Sequence, residues 1–443
     1  MEEYSLKETS VLLFDSFDED SQMLYQSFLK AGFQGLILTC SDDGFLPENV
    51  LSIYTLFLGK KEGRPCYFNE IDVPDYWEIK SSNTQGQIYD LTHERAKIYY
   101  TNPTHKRFVR VVDWYDEDKT CRLSEHYDRY GTIYARSIFN HEGKLISRSY
   151  FDVNQKEIIV ENYVTKNIIL NLEDQALIFK NKVEFICFVF QYLGITVKRL
   201  FYNSLSTPFF VSEALPKSNK EDILFWQENV RSDVPGNMNY ILNGHANRTN
   251  KIYVQKKESY EKFISLGVDP IKCKPLGFIY SFSETQKKEN TALICTNSDQ
   301  IEKLKEIVEA CSEIEFHIVA LTEMSSKLMA FEQYKNVNLY PVCKESTIFR
   351  LFNSCSYYLD INHGNEIVDA CKEAFLQNCL LLSFENTCHN RKYVLKDCIY
   401  DSFKVQNLID TLINKDAYET LLKKQKTNAM SQNIEDYNDI IYN

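Results

Sequence analysis

One short stretch gathers several groups able to hold a polar ligand: the carboxylates of Asp360 and Glu366, the amides of Asn362 and Asn365, the imidazole of His363 and the bare backbone of Gly364. Glu373 follows eight positions after Asn365. Amides and carboxylates of this kind accept hydrogen bonds from hydroxyl groups, and an imidazole adds a titratable donor. A diphosphate asks for more, namely cations or helix amides aimed at its oxygens. No Lys or Arg lies in the turn itself; Arg350 and Lys372 fall in flanking helical segments, where the solvent side is their ordinary place. His363 is a lone loop histidine, whose ordinary role is a local hydrogen bond. The 8 histidines of the chain show no metal-ligand spacing, so no metal is expected.

The elements around the turn place it. Tyr357, Tyr358 and Leu359 read as the end of a strand, and residues 379–384 as another. Between them Ile367, Val368, Cys371, Ala374 and Phe375 recur with the period of one helix face, predicting a helix over 366–377. In a βαβ unit of this kind ligands sit beyond the carboxyl ends of the strands, which is where the turn lies. The unit resembles the donor-binding element of retaining two-domain (GT-B) glycosyltransferases, which carry two glutamates eight positions apart across this turn and helix. Glu373 matches the second; Asn365 stands where the first is expected, and Glu366 is out of register by one.

The chain has 443 residues, enough for two or three domains, and a net charge of -12, which argues against a nucleic-acid binder working by phosphate neutralisation. Its 13 cysteines are scattered without a CxxC pair, so reduced thiols are expected. No signal-peptide pattern opens the sequence, and the longest apolar stretch, residues 185–195 with Gln191 inside, is too short for a bilayer span. Localisation is therefore expected to be cytoplasmic.

In order, residues 11–14, a helical stripe at Met23, Leu24, Phe28 and Leu29, and residues 35–40 give a first βαβ unit without a GxGxxG or P-loop signature. From about residue 60 the texture changes, and turn clusters at 116–119, 128–131, 140–143 and 152–155 recur at a 12-residue interval. The spacing predicts an antiparallel meander in which Leu123, Ala135, Ser147 and Ile159 are equivalent, and Tyr127, Phe139 and Phe151 form an aromatic row. Its faces mix apolar and polar residues, so one face is a candidate partner surface, with Tyr127, Tyr134, Phe139, Tyr150 and Phe151 as interface candidates. Strands at 197–202, 223–226 and 252–255 with helices at 183–193 and 259–266 complete the first domain, and 203–207 is read as a polar turn closed by Pro208. Strands at 291–296, 315–321, 337–340, 356–361 and 379–384 alternate with helical segments at 300–310, 325–334, 345–353 and 366–377, implying a second parallel sheet. Helix is expected again from 405 to about 429, and fraying after Met430. The expected domains are 1–59 and 175–268 for the first Rossmann-like unit, 60–174 for the inserted sheet, 269–420 for the second unit, and 421–443 for a helix and tail returning to the first.

A more specific likeness spans nearly the whole chain. Asp43-Gly44-Phe45-Leu46-Pro47, Val73-Pro74-Asp75-Tyr76-Trp77-Glu78, Val112-Asp113-Trp114, Asn203-Ser204-Leu205-Ser206-Thr207-Pro208, Phe225-Trp226-Gln227-Glu228 and Pro235-Gly236-Asn237-Met238 carry it. Together they resemble the stabilising, acceptor-binding subunit of the two-subunit bacterial peptide O-GlcNAc transferase that glycosylates serine-rich-repeat adhesins. The resemblance implies an α/β, GT-B-like fold of two Rossmann-like domains with an inserted antiparallel β-meander, and no catalytic activity or cofactor of its own. It implies two partners, a homologous catalytic glycosyltransferase subunit and a serine-rich polypeptide, in a hetero-oligomer that is cytoplasmic, either free or peripheral to the cytoplasmic face of the membrane. The meander would be the dimerisation surface. Turns expected to follow strands of the first domain and to face the interdomain cleft supply Asp15, Ser16, Phe17, Asn203, Ser204, Ser206, Thr207 and Glu228 as acceptor-binding candidates. His245, Arg248, His363 and Asn365 are of the same standing, and Asn365 and Glu373 mark a degenerate donor site. The competing reading is an active retaining transferase using a UDP-sugar donor.

Overall fold

The computed structural model describes residues 7–173, 175–230 and 232–442; Asp174, where the inserted sheet was expected to end, lies outside them. The chain divides into two compact units, one up to Pro275 and one from Leu276.

In the first unit β1 (Lys7–Phe14) ends in four fully buried residues, the pattern of a strand covered on both faces. α1 (Glu19–Lys30) starts at Asp18, whose carboxylate accepts the Ser21 amide at 3.0 Å, and buries Met23, Leu24 and Phe28. β2 (Leu36–Thr39) and β3 (Leu51–Ser52) follow.

The chain then builds ten antiparallel strands in sequential order: β4 (Trp77–Ser81), β5 (Gln85–Asp90), β6 (His93–Tyr100), β7 (Val109–Tyr115), β8 (Cys121–Tyr127), β9 (Ile133–Phe139), β10 (Leu145–Phe151), β11 (Glu157–Asn162), β12 (Ile168–Asn171) and β13 (Ala176–Phe179). The 12-residue interval has one cause. Each turn opens on Asp116, Asp128, Asn140 or Asp152, whose side-chain oxygen accepts the amides two and four residues on at 2.8–3.0 Å. The residue three places on, Lys119, Gly131, Gly143 or Gln155, is left-handed, with φ between 60° and 82°. The expected aromatic row is corrected. Successive strands run in opposite directions, so residues twelve apart alternate between ends of the sheet: Tyr127 and Phe151 finish β8 and β10 at one end, Phe139 finishes β9 at the other. Likewise Leu123 pairs with Ile138, whereas Ala135 pairs with His126 and Tyr150.

α2 (Lys182–Tyr192), β14 (Ile195–Tyr202), α3 (Thr207–Ala214), β15 (Asp222–Trp226), α4 (Gly236–Leu242), β16 (Thr249–Val254), α5 (Lys257–Ser265) and β17 (Cys273–Pro275) return the chain to a parallel sheet of order β17-β16-β15-β14-β1-β2-β3. The turn expected to close at Pro208 instead opens α3. Proline has no amide to lose in a first helical turn.

The second unit is a six-stranded parallel sheet of order β20-β19-β18-β21-β22-β23, from β18 (Lys288–Thr296), β19 (Glu315–Ala320), β20 (Val337–Tyr340), β21 (Cys355–Asp360), β22 (Leu380–Phe384) and β23 (Ile399–Tyr400). Helices α6 (Leu304–Ala310), α7 (Ser326–Met329), α8 (Glu345–Ser354) and α9 (Ala370–Leu376) lie between strands, and α10 (Val405–Ile413), α11 (Lys415–Asn428) and α12 (Ile434–Tyr442) close the chain. α9 is shorter than its periodicity predicts, because Val368 and Asp369 are left-handed (φ 51° and 49°) and keep Ile367 and Val368 off the helix. The end expected to fray is α12, pinned where buried Tyr437 donates to the Gly277 carbonyl at 2.7 Å. Among the described residues no helix is long and apolar enough to cross a membrane.

Candidate functional site

In the second unit the turn after β21 has turned its polar groups inward. Asn362, 2% exposed, accepts the Thr296 hydroxyl at 2.8 Å and the Gly364 amide at 3.1 Å, and its amide nitrogen donates to the Gly364 carbonyl at 3.2 Å. A Cβ at Gly364 would sit 1.8 Å from the side-chain oxygen of Asn297, an exposed side chain that would have to swing aside. Gly364→Ala is expected to displace the Asn297 side chain at a cost to the second unit of about 0.5 kcal/mol or less, measured as a nearly unchanged denaturant midpoint. His363 is exposed, with Nε2 2.6 Å from the Glu302 carboxylate; Asn365 is exposed. Glu366 accepts the Cys371 amide at 2.6 Å, so a carboxylate of the chain itself occupies the amide end of α9 in place of an outside anion. Glu373 is half-buried on α9, and burial holds its carboxyl above the ordinary range.

Sequence reasoning missed His389. Its Nδ1–H donates to one oxygen of buried Asp360 at 2.5 Å, its backbone amide to the other at 2.7 Å, and its Nε2–H to the Gly364 carbonyl at 2.7 Å. The Asp360 hydrogen bond raises the imidazole to about 9, making it an imidazolium at neutral pH. Residue 389 stands 29 positions beyond Asp360 in a stretch without periodicity, and nothing in the sequence pattern connects the two.

The first unit offers a different arrangement. Asp15, Asn203, Gln227 and Gln255 each directly follow one of four adjacent strands, β1, β14, β15 and β16. The Asn203 oxygen accepts the Asp15 amide at 2.9 Å, and its nitrogen donates to the Ser21 hydroxyl and the Gln227 oxygen, both at 2.9 Å. Gln227 donates in turn to Gln255 at 2.8 Å. Asn203 is thereby corrected from a ligand contact to part of a buried amide floor. Over that floor stand half-buried Asp15, which accepts the Ser204 hydroxyl at 3.3 Å, with Ser16, Ser206, Thr207 and Glu228 exposed or partly so. Phe17 packs edge-on against Phe14 and Tyr25, with ring centroids 5.3 and 5.6 Å away. Burial raises the Asp15 carboxyl, opposed by Ser204, by Lys182 and by Ser206. Hydroxyls, a carboxylate and an aromatic edge at one strand terminus suit a hydroxyl-rich extended peptide.

Two candidates fall elsewhere. His245 and Arg248 precede β16 and so sit at the amino edge of the sheet, away from the strand ends. Arg248 is buried, with its guanidinium donating to the carbonyls of Pro216, Val197 and Lys198 and pairing with Asp222 at 2.9 Å, so it is a structural residue, not an acceptor contact. His245 is exposed beside Tyr240. Among the interface candidates, Tyr127, Tyr134 and Tyr150 are 6%, 2% and 2% exposed, packed within their own chain, which leaves Phe139 and Phe151 with surface to offer a partner.

Models of the GtfB N-terminal domain match residues 11–57, of the GtfB middle domain residues 77–180, of the GtfB third domain residues 182–266, and of the GftB/GlyA-F C-terminal domain residues 292–432. The UDP-N-acetylglucosamine–peptide N-acetylglucosaminyltransferase stabilizing protein GtfB of Streptococcus agalactiae is 42% identical, over 97% of this chain and 98% of its own. The protein of the same description in Limosilactobacillus reuteri is 32% identical, over 97% and 98%. Among solved structures, a chain of the GtfA/B complex bound to UDP and GlcNAc superposes with a TM-score of 0.90 at 36% identity, covering 97% of this chain and 98% of that one.

Proposed function

Because this chain belongs to the GtfB family of peptide N-acetylglucosaminyltransferase stabilising proteins, we infer that it is the non-catalytic subunit of a protein O-GlcNAc transferase, stabilising a homologous catalytic subunit and holding the serine-rich acceptor polypeptide. The observation that carries the non-catalytic reading is the self-occupied turn. Glu366 sits on the α9 amide, Asn365 stands in the place of a glutamate, and Asp360 is paired to His389. The acceptor is assigned to the first-unit strand ends, with Asp15, Ser16, Phe17, Ser204, Ser206, Thr207 and Glu228 as contacts. The catalytic subunit is assigned to the meander, through Phe139 and Phe151. Tyr76, just before the edge strand β4, and Leu91, in the β5–β6 turn beside it, add apolar surface, 96% and 82% exposed and both left-handed, a conformation that costs a side chain about 1–2 kcal/mol. The complex is placed in the cytoplasm, free or peripheral to the membrane.

Three measurements on purified protein test this. The chain should co-purify with a co-expressed catalytic homologue, bind a synthetic serine-rich polypeptide, and transfer no label from UDP-GlcNAc by itself. A Phe139→Asp/Phe151→Asp variant should lose the co-purification while keeping its own melting transition. Transfer by this chain alone, abolished by Glu373→Ala, would overturn the reading.

A further inference from the structure

The order β14-β1-β2-β3 sets four neighbouring carboxyl ends in line, and the first two carry Ser204 and Asp15 of the strand-end site. The next two open on a cavity. Cys40, directly after β2, donates its amide to the Phe14 carbonyl beside Asp15 at 2.8 Å, and Asp42 comes two residues later. Asp42, Leu46, Pro47, Thr55 and Leu58, the last two just past β3, line a cavity of about 380 Å³ together with Arg129. Its far wall belongs to the inserted sheet, whose turn after β8 is clasped by the loop that follows β2. The Arg129 amide donates to the Gly44 carbonyl at 2.8 Å, and the Tyr134 hydroxyl to the Asp42 carbonyl at 2.9 Å. Lys61 pairs with Asp128 at 2.8 Å, with side chains 7% and 8% exposed. A Cβ at Gly44, where φ is 84°, would come within 2.3 Å of the Tyr127 carbonyl oxygen, so loop and sheet meet backbone to backbone.

Two charged groups of this cavity have no oppositely charged partner among the described residues. The Arg129 guanidinium makes one long hydrogen bond, 3.4 Å to the Phe45 carbonyl. The Asp42 carboxylate accepts the Gly44 amide at 2.7 Å, and burial lifts its carboxyl to about 6, which leaves it ionised at neutral pH. A guanidinium donates to peptide carbonyls and a carboxylate accepts from serine hydroxyls, while Leu46, Pro47 and Leu58 offer the chain an apolar wall. We propose that the cavity is a second subsite for the hydroxyl-rich polypeptide, which runs from Asp15 across the ends of β2 and β3 and is held there by Arg129 and Asp42. Four adjacent strand ends span roughly 14 Å, the reach of about four extended residues. The inserted sheet thereby supplies one wall of the acceptor path. The inference rests on the acceptor assignment above, and the experiment separates the two.

A photoreactive benzoylphenylalanine in place of Leu46 should cross-link a labelled serine-rich polypeptide. The same group in place of Val164, 66% exposed in the turn after β11 at the opposite end of the sheet, should not. Arg129→Met should weaken binding of the polypeptide about tenfold, the weight of a hydrogen bond from a charged donor. Its melting transition should be kept, because the bond from residue 129 to Gly44 is made by the backbone. Arg129→Lys should recover part of the affinity. No cross-link from position 46, equal cross-links from positions 46 and 164, or an affinity unmoved by Arg129→Met each overturns the proposal. If Asp15→Asn weakens binding in that case, the acceptor assignment stands without the second subsite. If the chain binds no serine-rich polypeptide, the assignment falls and the subsite with it.

Discussion

Arg248→Met is expected to lower the stability of the first unit by about 3–5 kcal/mol, the cost of leaving a buried charge without its partner. Asp222 is fully buried, accepts the Leu200 amide at 2.8 Å and the Ser212 hydroxyl at 2.7 Å, and pairs with Arg248 at 2.9 Å. The same guanidinium satisfies three backbone carbonyls around β14, so its loss orphans acceptors as well as a charge. Replacing both partners, as in Arg248→Met/Asp222→Leu, should recover only the part of the loss due to the unpaired charge, because the three carbonyls, the Leu200 amide and the Ser212 hydroxyl still lack these partners. The pH dependence has a definite sign. Burial holds the Asp222 carboxyl above its ordinary range despite Arg248, so the folded state takes up its proton at higher pH than the unfolded chain does. Stability contributed by that proton is present at low pH and is lost as pH rises through the folded-state value. Removing Arg248 pushes that value higher still. The variant's deficit, measured by urea denaturation, should therefore be greatest near neutrality and shrink on acidification.

Arg248 also shows what a single sequence conceals. Its polarity and its place just before a strand mark it as a ligand candidate, yet nothing local says that this edge of the sheet is buried. Asn203 carries the same lesson at the other edge. Its place after a strand was legible, but whether its amide faced a ligand or Ser21 and Gln227 depended on helices and strands up to 182 residues away. The meander was legible in its period because the period is local chemistry, an Asp or Asn folding the next four residues around its own side chain. The direction of each strand is set by pairing, and so the expected row of Tyr127, Phe139 and Phe151 failed. The helix expected from 366 failed for a related reason: two left-handed residues before Ala370 serve the turn, and periodicity does not report them. The degenerate turn itself was readable from Asn365 and Glu373, whereas its lock was not, since His389 comes from a distant loop.

That lock gives the second large effect. His389→Ala should cost the second unit about 3–5 kcal/mol, since Asp360 is 2% exposed and would lose both a hydrogen bond and its counter-charge. The Gly364 carbonyl would lose its imidazole donor at the same time. In the folded protein the His389 imidazole is raised to about 9, first by its hydrogen bond to Asp360, against an ordinary value of 6.5. A group raised on folding contributes stability that is fully present below the unfolded value and is lost as pH rises through the folded one. The wild-type protein should therefore lose thermal stability between about pH 6.5 and pH 9, and His389→Ala should show no such decline from this residue, the two curves converging at alkaline pH. Asp360→Asn supplies the complementary measurement. Its amide still accepts a hydrogen bond from the ring but offers no charge, so the histidine should titrate nearer its ordinary value, and the alkaline decline should be smaller and be complete at lower pH. Parallel curves for wild type and His389→Ala across this range would show that the imidazolium does not hold the turn.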